Sequence, residues 1–171
     1  MTFRTKVPCF FSALLVLAIT PCAVRADSLT YTNARFGTSV TFPAELYEQR
    51  TGMPENGDGI LFTSSDGGSL AIWSSNNALE ATPESSAADS HALEGTDFSI
   101  TYEKRGDDWL VLSGYEEGLI YYQRTEFGSD GILRGIKLKY PEAARQKYDP
   151  EIAAIAASLS GPQDVTPSGA Q

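Results

Sequence analysis

The chain has one histidine, His91, in the polar stretch Asp89-Ser-His-Ala-Leu-Glu94. An imidazole beside carboxylates can act as a general base or hold a metal. Asp89 and Glu94 lie close in sequence, but no second histidine accompanies them and their spacing is not demanding, so His91 reads first as a solvated surface residue. Asn56-Gly-Asp-Gly59 and Ser65-Asp-Gly-Gly68 offer oxygen donors. A calcium loop orders such donors over about 12 residues and ends in a bidentate acid; neither segment does, and both read as turns. Ser113-Gly114 sits in a strand-like run without the Gly-x-Ser-x-Gly elbow, and no Ser-x-x-Lys follows residue 26. The acid pairs Asp107-Asp108 and Glu116-Glu117 fall at turns, where neighbouring side chains diverge. Glycoside hydrolysis needs two carboxyls held about 5 to 9.5 Å apart across a cleft. No glycine loop that would cradle a phosphate precedes a helix. These segments assign no catalytic residue, no metal ligand and no cofactor.

The aromatic residues are the richer set: Trp73, Trp109, Tyr115, Tyr121 and Tyr122. Core packing accounts for them most simply. The alternative is a groove for a peptide, glycan or lipid. Its candidate ligand-binding residues are Trp73, Trp109, Tyr115, Tyr122 and Arg124, the last sharing a strand face with Tyr122 and Ile120.

Residues 1–26 have the three parts of a secretory signal: basic Arg4 and Lys6, an apolar run from Phe10 to Ile19, and Val24-Arg25-Ala26 as a small-residue cleavage site. The apolar run falls short of the roughly 20 residues of a spanning helix. The expected destination is the periplasm or the exterior, with no integral membrane segment after cleavage. A lipoprotein signal ending at Cys22 is the rival reading, weakened by Pro21 directly before it. Both cysteines, Cys9 and Cys22, lie in the signal, so the mature domain is expected to contain neither a thiol nor a disulfide. Losing Arg4, Lys6 and Arg25 moves the formal charge from -9 to -12. That balance argues against nucleic acid and anionic membranes as partners.

The mature chain reads as one domain over 27–159. Short strands are expected over 28–32 and 38–42, then a Pro43-led helical piece over 44–49 and a loop over 52–59. A hairpin follows over 60–74, turning at Ser64–Gly68; Asp-Gly between β-rich runs is a strong hairpin signal. The stretch 76–95 is poor in apolar mass and reads equally as a weak surface helix, capped by Thr82 with Pro83 at its first position, or as a loop. Phe98, Ile100 and Tyr102 alternate with Ser99, Thr101 and Glu103 as the first of four successive strands. The others run from Trp109 to Tyr115, Leu119 to Phe127 and Ile132 to Tyr140, with Arg134 expected near an edge. Residues 141–147 suggest a short helix. Asp149 and Pro150 suggest the start of a second, with Ile152, Ile155, Ala156 and Leu159 on one face. Residues 160–171 read as a disordered tail.

The sum is an α+β domain: an antiparallel sheet of about six or seven strands flanked by helices. Its opening, Tyr31-Thr-Asn-Ala-Arg-Phe-Gly-Thr-Ser-Val-Thr-Phe-Pro43, and its close, from Tyr140-Pro141 to Leu159, resemble the Mog1/PsbP-like fold, an α/β/α sandwich. They are similar to uncharacterised periplasmic proteins of alphaproteobacteria. The resemblance implies an adaptor or assembly role and supplies no catalytic residue. The expected function is a non-enzymatic periplasmic binding or envelope-assembly module whose partner is a periplasmic protein or small ligand. The alternatives are a small exported hydrolase with an unrecognised site, or a soluble small-ligand or lipid carrier.

Overall fold

The computed structural model describes residues 27–51 and 56–162. The predicted signal lies outside them, as does the predicted tail from residue 163 onward. The elements are β1 (Ser28–Thr32), β2 (Ser39–Pro43), a 3-10 turn (Ala44–Leu46), β3 (Gln49–Thr51), β4 (Gly59–Thr63), β5 (Ser69–Asn76), α1 (Pro83–His91), β6 (Phe98–Arg105), β7 (Trp109–Glu116), β8 (Leu119–Phe127), β9 (Ile132–Tyr140), a second 3-10 turn (Glu142–Ala144) and α2 (Arg145–Ala157). Strands β3 to β9 form one seven-stranded antiparallel sheet in the order β3-β4-β5-β9-β8-β7-β6, and β1 and β2 form a separate hairpin. The domain is therefore α+β, as its alternation implies.

Register follows from turn chemistry. Glu117 and Gly118 both have positive φ, 54° and 78°, which makes the two-residue turn joining β7 to β8 and pairs Glu116 with Leu119. From that pair outward, Trp109 and Tyr115 of β7 share a face with Tyr122 and Arg124 of β8. The connection from β5 to β6 instead crosses the sheet and carries α1. Thr82 and Ser85 form a reciprocal capping box with Pro83 inside it, so the ambiguous 76–95 stretch contains a helix.

The two layers over the sheet are offset. On one face, α2 and the β1–β2 hairpin cover β4, β5 and β9. Val40, Phe42, Leu70, Ile72, Ile136, Leu138, Tyr148 and Ile155 are buried there in one cluster. On the other face, α1 lies over β6 to β8. Ala87 meets Leu110, Leu112 and Tyr121, with Phe98 stacked on the Tyr121 ring at 5.3 Å. Leu93, just beyond α1, is exposed.

Four expectations need correction. The helical piece over 44–49 is a single 3-10 turn, after which Gln49–Thr51 pairs with β4 as a short strand. Asp149 does not cap a helix: α2 runs through it with Pro150 inside. The Asp149 carboxylate accepts from Tyr140 Oη at 2.7 Å and Arg145 Nε at 3.0 Å. Pro150 has no N–H for the Gln146 carbonyl, yet the helix continues because Tyr148 and Ile155, on either side of it, are both fully buried. Arg134 is interior, since β9 lies between β5 and β8. Finally, Ser160 belongs to the folded body: it exchanges backbone hydrogen bonds with Ser39 at 2.9 and 3.0 Å.

One polar network ties α2 to the β4–β5 turn. The Tyr148 hydroxyl and Lys147 ammonium donate to the two oxygens of Asp66 at 2.8 and 2.7 Å, and the Gly68 N–H donates to it at 3.0 Å. Burial raises the Asp66 carboxyl, but these bonds outweigh it and hold the group well below its ordinary value. Stability from this network is therefore present above the ordinary carboxylate range and is lost as pH falls through the lowered value. Asp66→Asn should flatten the acid limb of the stability–pH curve, measured by urea unfolding from pH 2 to 7. Ile155→Ala at neutral pH should cost about 2–5 kcal/mol in the same assay.

Candidate functional site

The offset layers leave half of each face uncovered. On the α2 side the bare half lies on β6, β7 and the outer part of β8. There Tyr102 is 51% and Tyr115 45% exposed. Tyr102 reaches this face through an irregularity in β6: Ile100 pairs with Gly114, but Tyr102 pairs with the adjacent Ser113. The expected alternation of Phe98, Ile100 and Tyr102 therefore breaks, and Tyr102 faces away from the other two. Gly114 permits the shift, because a Cβ there would collide with the Ser99 carbonyl.

Trp109 lies at one end of the bare half, at the start of β7. The Arg124 guanidinium lies 5.2 Å from its ring centroid and the Lys104 ammonium 5.9 Å, both within cation–π range. Arg124 also donates to Glu126 through Nε at 3.0 Å and Nη2 at 2.9 Å. Lys104 makes no ion pair among the described residues. Tyr122, beside Arg124, is half-buried; its hydroxyl is raised by burial, with Arg124 opposing.

The surface deepens at one end into a cavity of about 490 Å³ lined by Asp108, Trp109, Arg124, Glu126, Asp130 and Arg134, with Leu159 to Gly161 forming the wall after α2. Arg134 is 4% exposed and pairs with both oxygens of Asp130. The Arg134 hydrogen bonds lower the Asp130 carboxyl. Gly128 and Gly161 pack against the guanidinium so closely that a Cβ at either would overlap it. The Arg134 Nε is buried with no hydrogen-bond partner among the described residues. Each guanidinium in the cavity thus has its own carboxylate, and Asp108 adds a third acid.

The structure places four of the sequence candidates on one face: Trp109 beside Arg124 at one end of β7, and Tyr115 with Tyr122 toward the other. Trp73 is separate. It lies on the opposite face, its indole over Gly135, where it lines an apolar depression of about 340 Å³ with Leu61 and Ala71. Tyr121, also in the aromatic set, is core; burial pushes its hydroxyl up to about 12. Tyr102, Lys104, Asp130 and Arg134 were not singled out from the sequence.

His91 lines neither cavity. It lies between Glu94 and Glu103, with Asp89 not among its partners. Asp58 accepts from Arg35 and Asn56 at 2.6 Å each, and Asp66 is engaged as described, so the acids of both calcium-like segments serve internal bonds. Among the described residues no group of three or more metal-binding side chains converges.

The architecture has a solved counterpart. The solution structure of cyanobacterial PsbP (CyanoP) from Synechocystis sp. PCC 6803 superposes with a TM-score of 0.58, covering 85% of this chain and 98% of that one at 13% identity. The chain has a PsbP-like fold. No family model and no curated protein matches the sequence. Within the PsbP-like frame no helix among the described residues is long and apolar enough to cross a membrane.

Arg134 and Arg124 should respond differently to truncation. Arg134→Ala leaves Asp130 with a partly buried, unpaired charge and should cost about 3–5 kcal/mol. Arg124→Ala, at the surface, should cost about 1 kcal/mol or less. Urea unfolding of both variants checks the ranking.

Proposed function

We propose that this PsbP-like chain is an exported, non-enzymatic accessory module that binds a protein partner through the bare half of its sheet. The observation that carries this reading is the bare face itself: Tyr102 and Tyr122 lie on either side of Ser113 with Tyr115 next along β7, and the Trp109 indole with Lys104 and Arg124 closes the other end of the strand. Large aromatic and arginine side chains on an open surface are the residue types that dominate protein interfaces. On this face Arg124 is paired with Glu126, and Lys104 is the cation with no ion pair among the described residues. A partner presenting carboxylates beside an apolar or aromatic surface fits that chemistry. The amino-terminal pattern and the resemblance to periplasmic proteins support the envelope as the place of action. The carrier alternative requires an enclosed apolar cavity, whereas the larger cavity here is charged. The hydrolase alternative requires His91 in a pocket, whereas it is exposed on α1.

A native pull-down from periplasmic extract tests the reading. The processed protein should retain a stoichiometric partner, and Tyr102→Ala with Tyr115→Ala should lose it while unfolding at an unchanged urea midpoint. Retention of the same partner by the double variant would place the interface elsewhere.

A further inference from the structure

The sheet ends at β6, and its outer edge is attended by three side chains that the bare aromatic surface does not use. His91 closes α1. Its Nδ1 lies 2.9 Å from Glu94 Oε2, and its Nε2 lies 2.8 Å from Glu103 Oε2 on β6. The other oxygen of Glu94 accepts the backbone N–H of Ile100 at 2.8 Å, just before the irregularity in β6. One chain of bonds therefore runs from the end of α1 to the edge strand and occupies a backbone donor of that strand.

We propose that His91, Glu94 and Glu103 form a proton-operated latch that fastens the end of α1 to the free edge of the sheet. A neutral imidazole has one N–H and one lone pair. With both ring nitrogens against carboxylate oxygens, the neutral form would point its lone pair at a negative charge. The arrangement selects the imidazolium, which donates to both. Hydrogen bonding to Glu94 and then Glu103 raises the imidazole above its ordinary 6.5, and His91 together with the Ile100 N–H lowers Glu94. The charged groups around His91 are few. Glu94 faces it from the segment after α1 and Glu103 from β6, with Arg105 3.7 Å from the second oxygen of Glu103. Behind them, on β8, lies the Tyr121 hydroxyl, raised by burial and by Glu116 and Glu94.

The latch matters because α1 has little else to hold it. Pro83 and Ala87 are its buried residues, both away from its last turn, and Leu93 beyond it is exposed. A histidine whose folded value is raised contributes fully below 6.5, and its contribution is lost as pH rises through the raised value. The lowered Glu94 sets the other limit: its contribution is lost as pH falls through its depressed value. The latch is closed between the lowered Glu94 value and the raised imidazole value, and opens as pH rises through the latter. Opening frees the Ile100 N–H and uncovers the strand edge, a surface apt for pairing with another strand.

The sole histidine makes the test unambiguous. In the processed protein, the His91 ring resonances should titrate with a midpoint above 6.5, and Glu103→Gln should lower it. Hydrogen exchange at Ile100, compared with β9 amides at each pH, should accelerate through the same midpoint, and His91→Gln should show the fast rate throughout. A midpoint at or below 6.5 would overturn the proposal. So would Ile100 protection that ignores the titration or survives His91→Gln. The sites are exposed, so both variants should keep the wild-type urea midpoint for the β9 core.

Discussion

The seating of Tyr148 is the constraint on which the rest of the molecule depends. Its ring stacks on Tyr140 at 5.0 Å, and its hydroxyl fills the space that a side chain at Gly68 would need. One residue thus fixes the height of α2 over β9 and its distance from the β4–β5 turn. Both cysteines of the chain precede residue 27, so no disulfide can share this task within the described body. Tyr47 stands 6.0 Å from Tyr148 with its hydroxyl buried and unpartnered among the described residues, and burial raises it strongly. The apolar packing there is favourable enough to tolerate an unsatisfied donor.

Once α2 and the hairpin occupy one half of the sheet and α1 the other half of the opposite face, two bare quarters are unavoidable. They differ in character. The quarter holding Trp73 carries Lys137 and Lys139, both paired with Glu116, around a small apolar depression. The quarter holding Trp109 is aromatic, and one of its cations is free of any ion pair among the described residues. Surface left open by the fold's own geometry needs no functional explanation. Exposed tyrosines on the same bare face as an indole do, because they add apolar area that solvent does not reward.

Much of this was legible in the chain. The strand-like runs placed β6 to β9, and the Asp-Gly turn placed the β4–β5 hairpin. The β7–β8 register followed from a two-residue turn, so the company of Trp109, Tyr115, Tyr122 and Arg124 was in principle readable from local sequence. Trp73 was not readable in this way. Its strand pairs with β9, some 60 residues later, and no local turn fixes which face it shares with whom. Tyr102 was hidden by a bulge whose only sequence mark is the glycine opposite. Arg134 was misplaced because a charge in a strand suggests exposure, whereas here Asp130 and two flanking glycines create a niche for it. Pro150 suggested a helix start, and tertiary burial on both sides overrode it.

The place of β9 in the sheet also has a temporal meaning. A growing chain that has reached Phe127 possesses β3, β4 and β5 as one ribbon and β6, β7 and β8 as another, with nothing to join them. The joining strand is the last to emerge, and it inserts between two ribbons instead of adding at an edge. The core on the α2 side cannot assemble before Tyr140, and α2 itself follows later still. Long-range closure of this kind slows folding. The topology therefore keeps the nascent polypeptide open until almost all of it has been made.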